Sequence, residues 1–146
     1  MSAIQEIKDK IKAVCIELKD ANVIAGVASI QMTKDPLDAE IPTTPYAYIM
    51  PPSTESVVVD NRTLLRTYTF DILVVVKGEN INTETYIEDL IEAILNKFDN
   101  LPTLEGEADG GVEPASSAPL PLTHKNGNLV IFSIRLKVNK TLSLTY

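Results

Sequence analysis

Apolar positions along the first twenty residues recur at steps of three and four: Ile4, Ile7, Ile11, Val14, Cys15 and Leu18. Glu6, Lys8, Lys10, Lys12 and Glu17 fall between them. That spacing lays one apolar stripe along a helix and predicts helix over about residues 2–19, ending near Asn22. Ser2 and Gln5 stand at capping-box spacing. A second stripe, Ile87, Leu90, Ile91, Ile94, Leu95 and Phe98, has Glu88, Asp89, Glu92 and Lys97 on its other face and predicts helix over residues 83–98. Asn82 is placed as its cap, Glu84 lies in its first turn, and Ile81 and Tyr86 are spaced as a hydrophobic staple. Asp99-Asn100 and Pro102 stop it.

Between the helices the period changes from 3.6 to two. Residues 62–77, RTLLRTYTFDILVVVK, hold neither Gly nor Pro and are rich in β-branched and aromatic side chains, so they read as one long strand. Leu64, Tyr68, Phe70, Ile72, Val74 and Val76 form an apolar face interrupted by Arg66. Thr63, Thr67, Thr69 and Asp71 are polar, whereas Leu73 and Val75 are apolar. The first half should therefore have one wet face, and the second half should be covered on both. At ~3.3 Å per residue the strand spans roughly 50 Å, against about 38 Å for the diameter of a compact domain of this length. One end should bend sharply or project, and a projecting strand needs a partner, which another copy of the chain could supply.

The other segments are shorter. A strand is expected at about residues 26–32, with Gly26 at a bulge or close approach, followed by a proline-punctuated loop over 33–45. Tyr46 to Met50 reads as a strand stopped by Pro51 and Pro52; residues 55–59 read as another strand or as the lead-in to the long one, with Asp60-Asn61 at the turn. Residues 78–82 form a turn. Residues 103–123, with three glycines, three prolines and four acids, read as a flexible acidic loop, part of which could form an edge strand near 119–123. Asn126-Gly127 signals a hairpin into a strand over 129–138, with Val130, Phe132, Ile134, Leu136 and Val138 facing the core, and residues 140–146 are a tail. The expected architecture is a single α+β domain over 1–146, a mostly antiparallel sheet with two amphipathic helices packed on one face, in the order α-β-β-β-α-β-β.

Composition narrows the chemistry. There is no Trp and aromatics are few, so the core must be mostly Ile, Leu and Val. The longest apolar run, Ile72 to Val76, is far too short to span a membrane, and the N-terminus lacks the apolar segment of a secretion signal, so a cytoplasmic setting is expected. The lone Cys15 can form no intrachain disulfide and reads as a core residue. A formal charge of −7 opposes binding nucleic acid through phosphates, but it suits a surface that DNA slides past.

No catalytic, cofactor-binding or metal-binding set emerges. His124 is the only histidine, no nucleophile elbow accompanies it, and too few His and Cys exist for zinc. Glu105, Glu107, Asp109 and Glu113 have a two-residue spacing that oxygen-liganded calcium can use, but the full calcium-loop signature is absent and an acidic loop is the simpler reading. Gly106 and Gly110 are not followed by the Lys-Ser/Thr of a phosphate loop, and the sequons at Asn61 and Asn139 read as chance. Arg66 either lies past the core edge with its head in water or reaches a carboxylate on a neighbouring subunit. Arg62 and Arg66 flanking Leu64 on one strand face, with Tyr68 following, suit an interface rim around an apolar contact, so Arg62, Leu64, Arg66 and Tyr68 are the candidate subunit-interface residues.

The layout as a whole resembles the tail terminator, or tail completion, proteins of long-tailed bacteriophages. The residues that carry the likeness are the first amphipathic helix, the loop into Pro45-Tyr46-Ala47-Tyr48-Ile49, the strand RTYTFDILV, the helix 83–98, and the closing strand VIFSIRL. The resemblance implies a structural virion protein of the tail or neck, assembled in the host cytoplasm. It implies a homo-hexameric ring that caps the tail tube, stops its polymerisation and offers a surface for head attachment. The implied partners are the tail tube protein and the head-tail connector protein, with DNA passing through the lumen without specific binding. It implies no enzymatic activity, no cofactor and no membrane. Another neck or head-to-tail joining protein would share these features. A small ligand-binding or enzymatic α+β domain using the 103–123 loop as a lid is the reading from a different class.

Overall fold

The computed structural model describes residues 2–30, 45–77, 83–101, 104, 110–124 and 127–143. Two helices, α1 (Ala3–Asp20) and α2 (Thr83–Asp99), accompany seven strands: β1 (Gly26–Ser29), β2 (Tyr46–Ile49), β3 (Ser53–Val58), β4 (Thr63–Lys77), β5 (Val112–Ser116), β6 (Leu120–His124) and β7 (Gly127–Ser143). The class is α+β with a mostly antiparallel sheet. The order is α-β-β-β-β-α-β-β-β, one strand more on each side of α2 than the sequence suggested. The first addition is β3, which is a strand in its own right rather than a lead-in. The second is β5, inside the stretch read as a loop, where Val112 and Pro114 are half-buried against β7. The expected tail is also partly strand, because β7 continues to Ser143 opposite Thr63.

The spine is the antiparallel pair β4–β7, in register without interruption from Thr63↔Ser143 to Lys77↔Leu129. Each flank of this pair carries two short strands separated by a bulge. On one flank Ile49 pairs with Ile72 and Ser53 with Thr69, so Met50, Pro51 and Pro52 oppose only Phe70 and Asp71. On the other, Ser116 pairs with Ile134 and Leu120 with Ile131, so Ser117, Ala118 and Pro119 oppose Phe132 and Ser133. An extra residue flips which side chains face which way. Ala47 and Ile49 of β2 therefore lie on the helix side, while past the bulge Thr54, Ser56 and Val58 take that side. β1 adds to β2 as the one parallel pair among the described strands.

Both helices pack on one face. Ile7, Ile11, Val14, Cys15 and Leu18 of α1 and Ile87, Leu90, Ile94 and Phe98 of α2 share a cluster with Tyr68, Phe70, Ile72, Val74 and Val76 of β4 and Phe132, Ile134, Leu136 and Val138 of β7. A smaller cluster on the opposite face holds Tyr48, Val75 and Leu129. On this second face of β4, Val75 is buried and Leu73 half-buried, so the covering that the sequence suggests for the second half is reached in part. Glu17 and Lys97 join the helices across 2.9 Å.

Local signals explain the element ends. Ser2 Oγ accepts a hydrogen bond from the Gln5 backbone N–H at 3.1 Å, while the Gln5 side chain turns to Asp9 (2.8 Å), so half of the capping box forms. Asn22 ends α1 in the left-handed region, φ 63°. Gly26 lies under the Tyr46 ring, 2.5 Å from where a Cβ would stand, so it marks a close approach and not a bulge. The expected loop over 33–45 lies outside the described residues except for Pro45. The turn over 78–82, with Ile81 and Asn82, lies outside them entirely.

Ile91 is only half-buried at the margin of the α2 stripe, whereas Ile94 is 3% exposed at its centre. Ile94→Asp is expected to destabilise the fold by about 3 kcal/mol or more, since it buries an unpaired carboxylate. Ile91→Asp is expected to cost clearly less. Urea denaturation followed by circular dichroism measures both, and equal midpoints for the two variants would contradict this placement of the α2 face.

Candidate functional site

The candidate site is the end of the sheet where β3, β4 and β7 run past the helices. β3 and β4 meet in a tight turn: the Arg62 N–H donates to Asp60 Oδ1 at 2.8 Å, and Val59 and Asp60 both donate to the Thr63 carbonyl, at 3.0 and 3.2 Å. From Thr63 to Thr67 no residue of β4 is buried, and β3 is exposed along its whole length.

Of the four sequence-predicted interface residues, the structure leaves three available. Arg62 is exposed in the turn. Leu64 is half-buried, between Val58 of β3 and Leu142 of β7. Arg66 is half-buried and donates from Nε to Ser56 Oγ at 3.0 Å. Tyr68 is 2% exposed and belongs to the main core, so it is withdrawn from the surface that a neighbour could touch. The backbone of β4 is also closed to a neighbour here. β3 fills one edge from Leu64 to Thr69 and β7 fills the other, so the partner of the projecting strand comes from its own chain. The open edge is one strand further out, on β3, where Val57, Val58 and Val59 are 60%, 69% and 62% exposed. A groove of ≈ 310 Å³ opens between the first turn of α1 and Thr54, Ser56, Arg66 and Tyr68.

The opposite face of the sheet carries the charge pair of Asp71 and Arg135. Asp71 and Arg135 are direct cross-strand partners, with Arg135 Nε donating to Asp71 Oδ1 at 3.0 Å. That hydrogen bond, with the carboxylate's charge, raises the pKa of Arg135. Nothing in the sequence pattern alone sets Asp71 opposite Arg135; it takes the β4–β7 register to do so.

Asn139 is the polar residue that sequence reasoning passed over, apart from its chance sequon. It lies on β7, half-buried. Its Oδ1 accepts from Thr67 Oγ1 at 2.8 Å, and its Nδ2 donates to Glu113 Oε2 at 3.4 Å. Its backbone carbonyl accepts from the Gly110 N–H (3.0 Å), and its N–H donates to the Gly111 carbonyl (2.9 Å). Gly110 leaves only 2.9 Å between a would-be Cβ and Asn139, and Gly111 holds φ 95°. One residue therefore ties β4, β5 and the loop before β5 to β7. Glu113 of the acidic series is occupied in this contact, while Glu105, Glu107 and Asp109 lie outside the described residues. The backbone of His124 ends β6 opposite Gly127, and the expected hairpin turn at Asn126 lies outside the described residues.

Cys15 is 1% exposed, and burial pushes its thiol up to about 12. No helix among the described residues is long and apolar enough to cross a membrane. No family model matches this chain, and no curated protein is similar to it.

Two outcomes test this geometry. Asn139→Ala is expected to lower stability by about 1–2 kcal/mol, because it leaves Thr67 without its partner; an unchanged melting temperature would remove Asn139 from its role as the tie. Cys15, kept as a neutral thiol, is expected to resist iodoacetamide at about pH 8 in the folded protein and to react once denatured. Because burial raises its pKa, the folded state holds the proton longer than the unfolded chain. Its contribution therefore lowers stability as pH climbs from about 9 towards 12.

Proposed function

We propose that this protein is a structural ring protein of a bacteriophage tail: a homo-hexamer that caps the tail tube, stops its growth and presents a surface for head attachment. The observation that carries the reading is the β3–β4–β7 end, which extends past the helix-covered core and exposes Arg62, with Leu64 and Arg66 half-buried beside it, where a neighbouring ring subunit can meet them. The acidic balance of the chain, −7, supports a lumen that passes DNA without holding it. Arg62 lies at the rim of that end, Leu64 is half-buried behind it, and Arg66 has further donors beyond the Nε bonded to Ser56. Acids on the adjoining subunit would meet the two guanidiniums.

The test is electron microscopy of the purified protein with tail tubes. Six-membered rings on tube ends are expected, and a monomer indifferent to tubes would overturn the reading. Arg62→Glu combined with Arg66→Glu is expected to keep the circular dichroism of the parent, since neither residue is in the core, and to weaken ring formation, most at low salt where repulsion is least screened. Sedimentation velocity at two salt concentrations reads this directly. Rings that persist at low salt would exclude these arginines from the contact.

A further inference from the structure

We infer that β3 is a docking edge for a second copy of this chain, pairing antiparallel with the β3 of that copy about a two-fold axis at Ser56. The argument begins with the direction of the backbone groups. Val59 donates its N–H to Thr63, and the β3–β4 register continues from Val58↔Leu64 to Ser53↔Thr69. Bonded and non-bonded pairs alternate in an antiparallel ladder. Val57, Glu55 and Ser53 therefore bond inward to β4, while Thr54, Ser56 and Val58 turn their N–H and C=O outward. All six residues of the strand are exposed, and no residue from Ser53 to Val59 is proline or lysine, the usual guards of a free edge.

The other edges of the sheet are guarded or short. The Ser117 N–H bonds to the Ser133 carbonyl, so by the same alternation the nitrogen of Pro114 stands on the outer side of β5, with no hydrogen to donate. β6 carries Pro121 within five residues, and β1 offers only four residues. Among the described strands, the one proline-free edge of useful length is β3 itself. The strand in a second copy best able to pair with β3 is therefore β3.

The register follows from the same alternation. Outward residues must meet outward residues, and centring on Ser56 places Thr54 opposite Val58 of the copy, so that every outward N–H finds an outward C=O. It sets Glu55 opposite Val57 and Ser53 opposite Val59, so that all three exposed valines have strand from the copy beside them. A parallel, in-register alignment would instead stack Glu55 on Glu55, a like-charge pair. The contact is closed and self-complementary. It differs from the head-to-tail contacts that close a ring, so it stands beside the ring reading and does not rest on it.

The experiment is sedimentation velocity of the full chain up to about 100 µM, where an interface of small area still shows, with circular dichroism melts as the fold control. The wild-type protein is expected to sediment as two-fold multiples of its basic unit. Val58→Pro removes an outward N–H and leaves the ladder to β4 intact, so the doubled species is expected to disappear while the melt is retained. Val57→Glu keeps every backbone donor and sets an acid opposite Glu55 of the copy twice per pair. It is expected to weaken doubling roughly tenfold or more, most at low salt. Adding Glu55→Lys to Val57→Glu places opposite charges in the same positions and is expected to restore doubling. This arm carries the test if Val58→Pro does not fold. A wild-type protein that stays undoubled, doubling indifferent to Val58→Pro and Val57→Glu, or failure of the charge swap to restore it would each overturn the inference. Single rings unchanged by Val58→Pro would overturn it and leave the ring reading standing. Double rings that fall to single rings would support both.

Discussion

Everything in this molecule depends on the pairing of two strands longer than its core. β4 and β7 stay in register for the full length of β4, from Thr63 to Lys77. Because side chains alternate, this one register commits a whole row of residues to the helix side, from Tyr68 to Val76 on β4 and from Phe132 to Val138 on β7. A slip of either strand by one residue would send its own row, Phe70 and Ile72 or Phe132 and Ile134, to the other face and leave the helices only half of that surface to cover. The pair is also longer than the helices can roof. Its far end must then be satisfied by other means, and β3 folds back to supply them.

The two proline-containing bulges govern how that end is finished. Each lets one flanking segment pair with the ribbon, break, and resume with its faces exchanged. On the β2–β3 flank, the exchange keeps Ala47 and Ile49 under the helices and then sets Thr54 and Ser56 on the same side, where Ser56 meets Arg66. On the β5–β6 flank, Pro114 and Pro121 sit in the edge strands and remove donors from the border. The border of the sheet is therefore uneven. It is blunted beside β7 and open along β3, and the exposed valines lie on the open side. A sheet open along both borders would polymerise without a stop, and this unevenness leaves one border blunted. Asn139 serves the same end of the sheet from within, holding the loop before β5 against β7 through both its backbone and its side chain.

The sequence by itself determined the elements whose signal is local and repeated: α1 and α2 from their stripes, the run and facing of β4, and the core face of β7 from Phe132 to Val138. It also determined the α+β class, since two amphipathic helices among period-two segments have few ways to bury their faces. β3 and β5 were weaker because STESVV and VEPAS bury almost nothing. Such edge strands take their conformation from the neighbour they bond to, and no periodicity within them reports it. Tertiary structure alone decided which long-range partners met. It closed both edges of β4 within one chain, drew Tyr68 out of the candidate interface and into the core, set Arg135 against Asp71, and made Asn139 a tie. The physical reason is that a hydrophobic period says which way a side chain faces, whereas pairing and register are settled by the summed burial and hydrogen bonding of segments far apart in the chain.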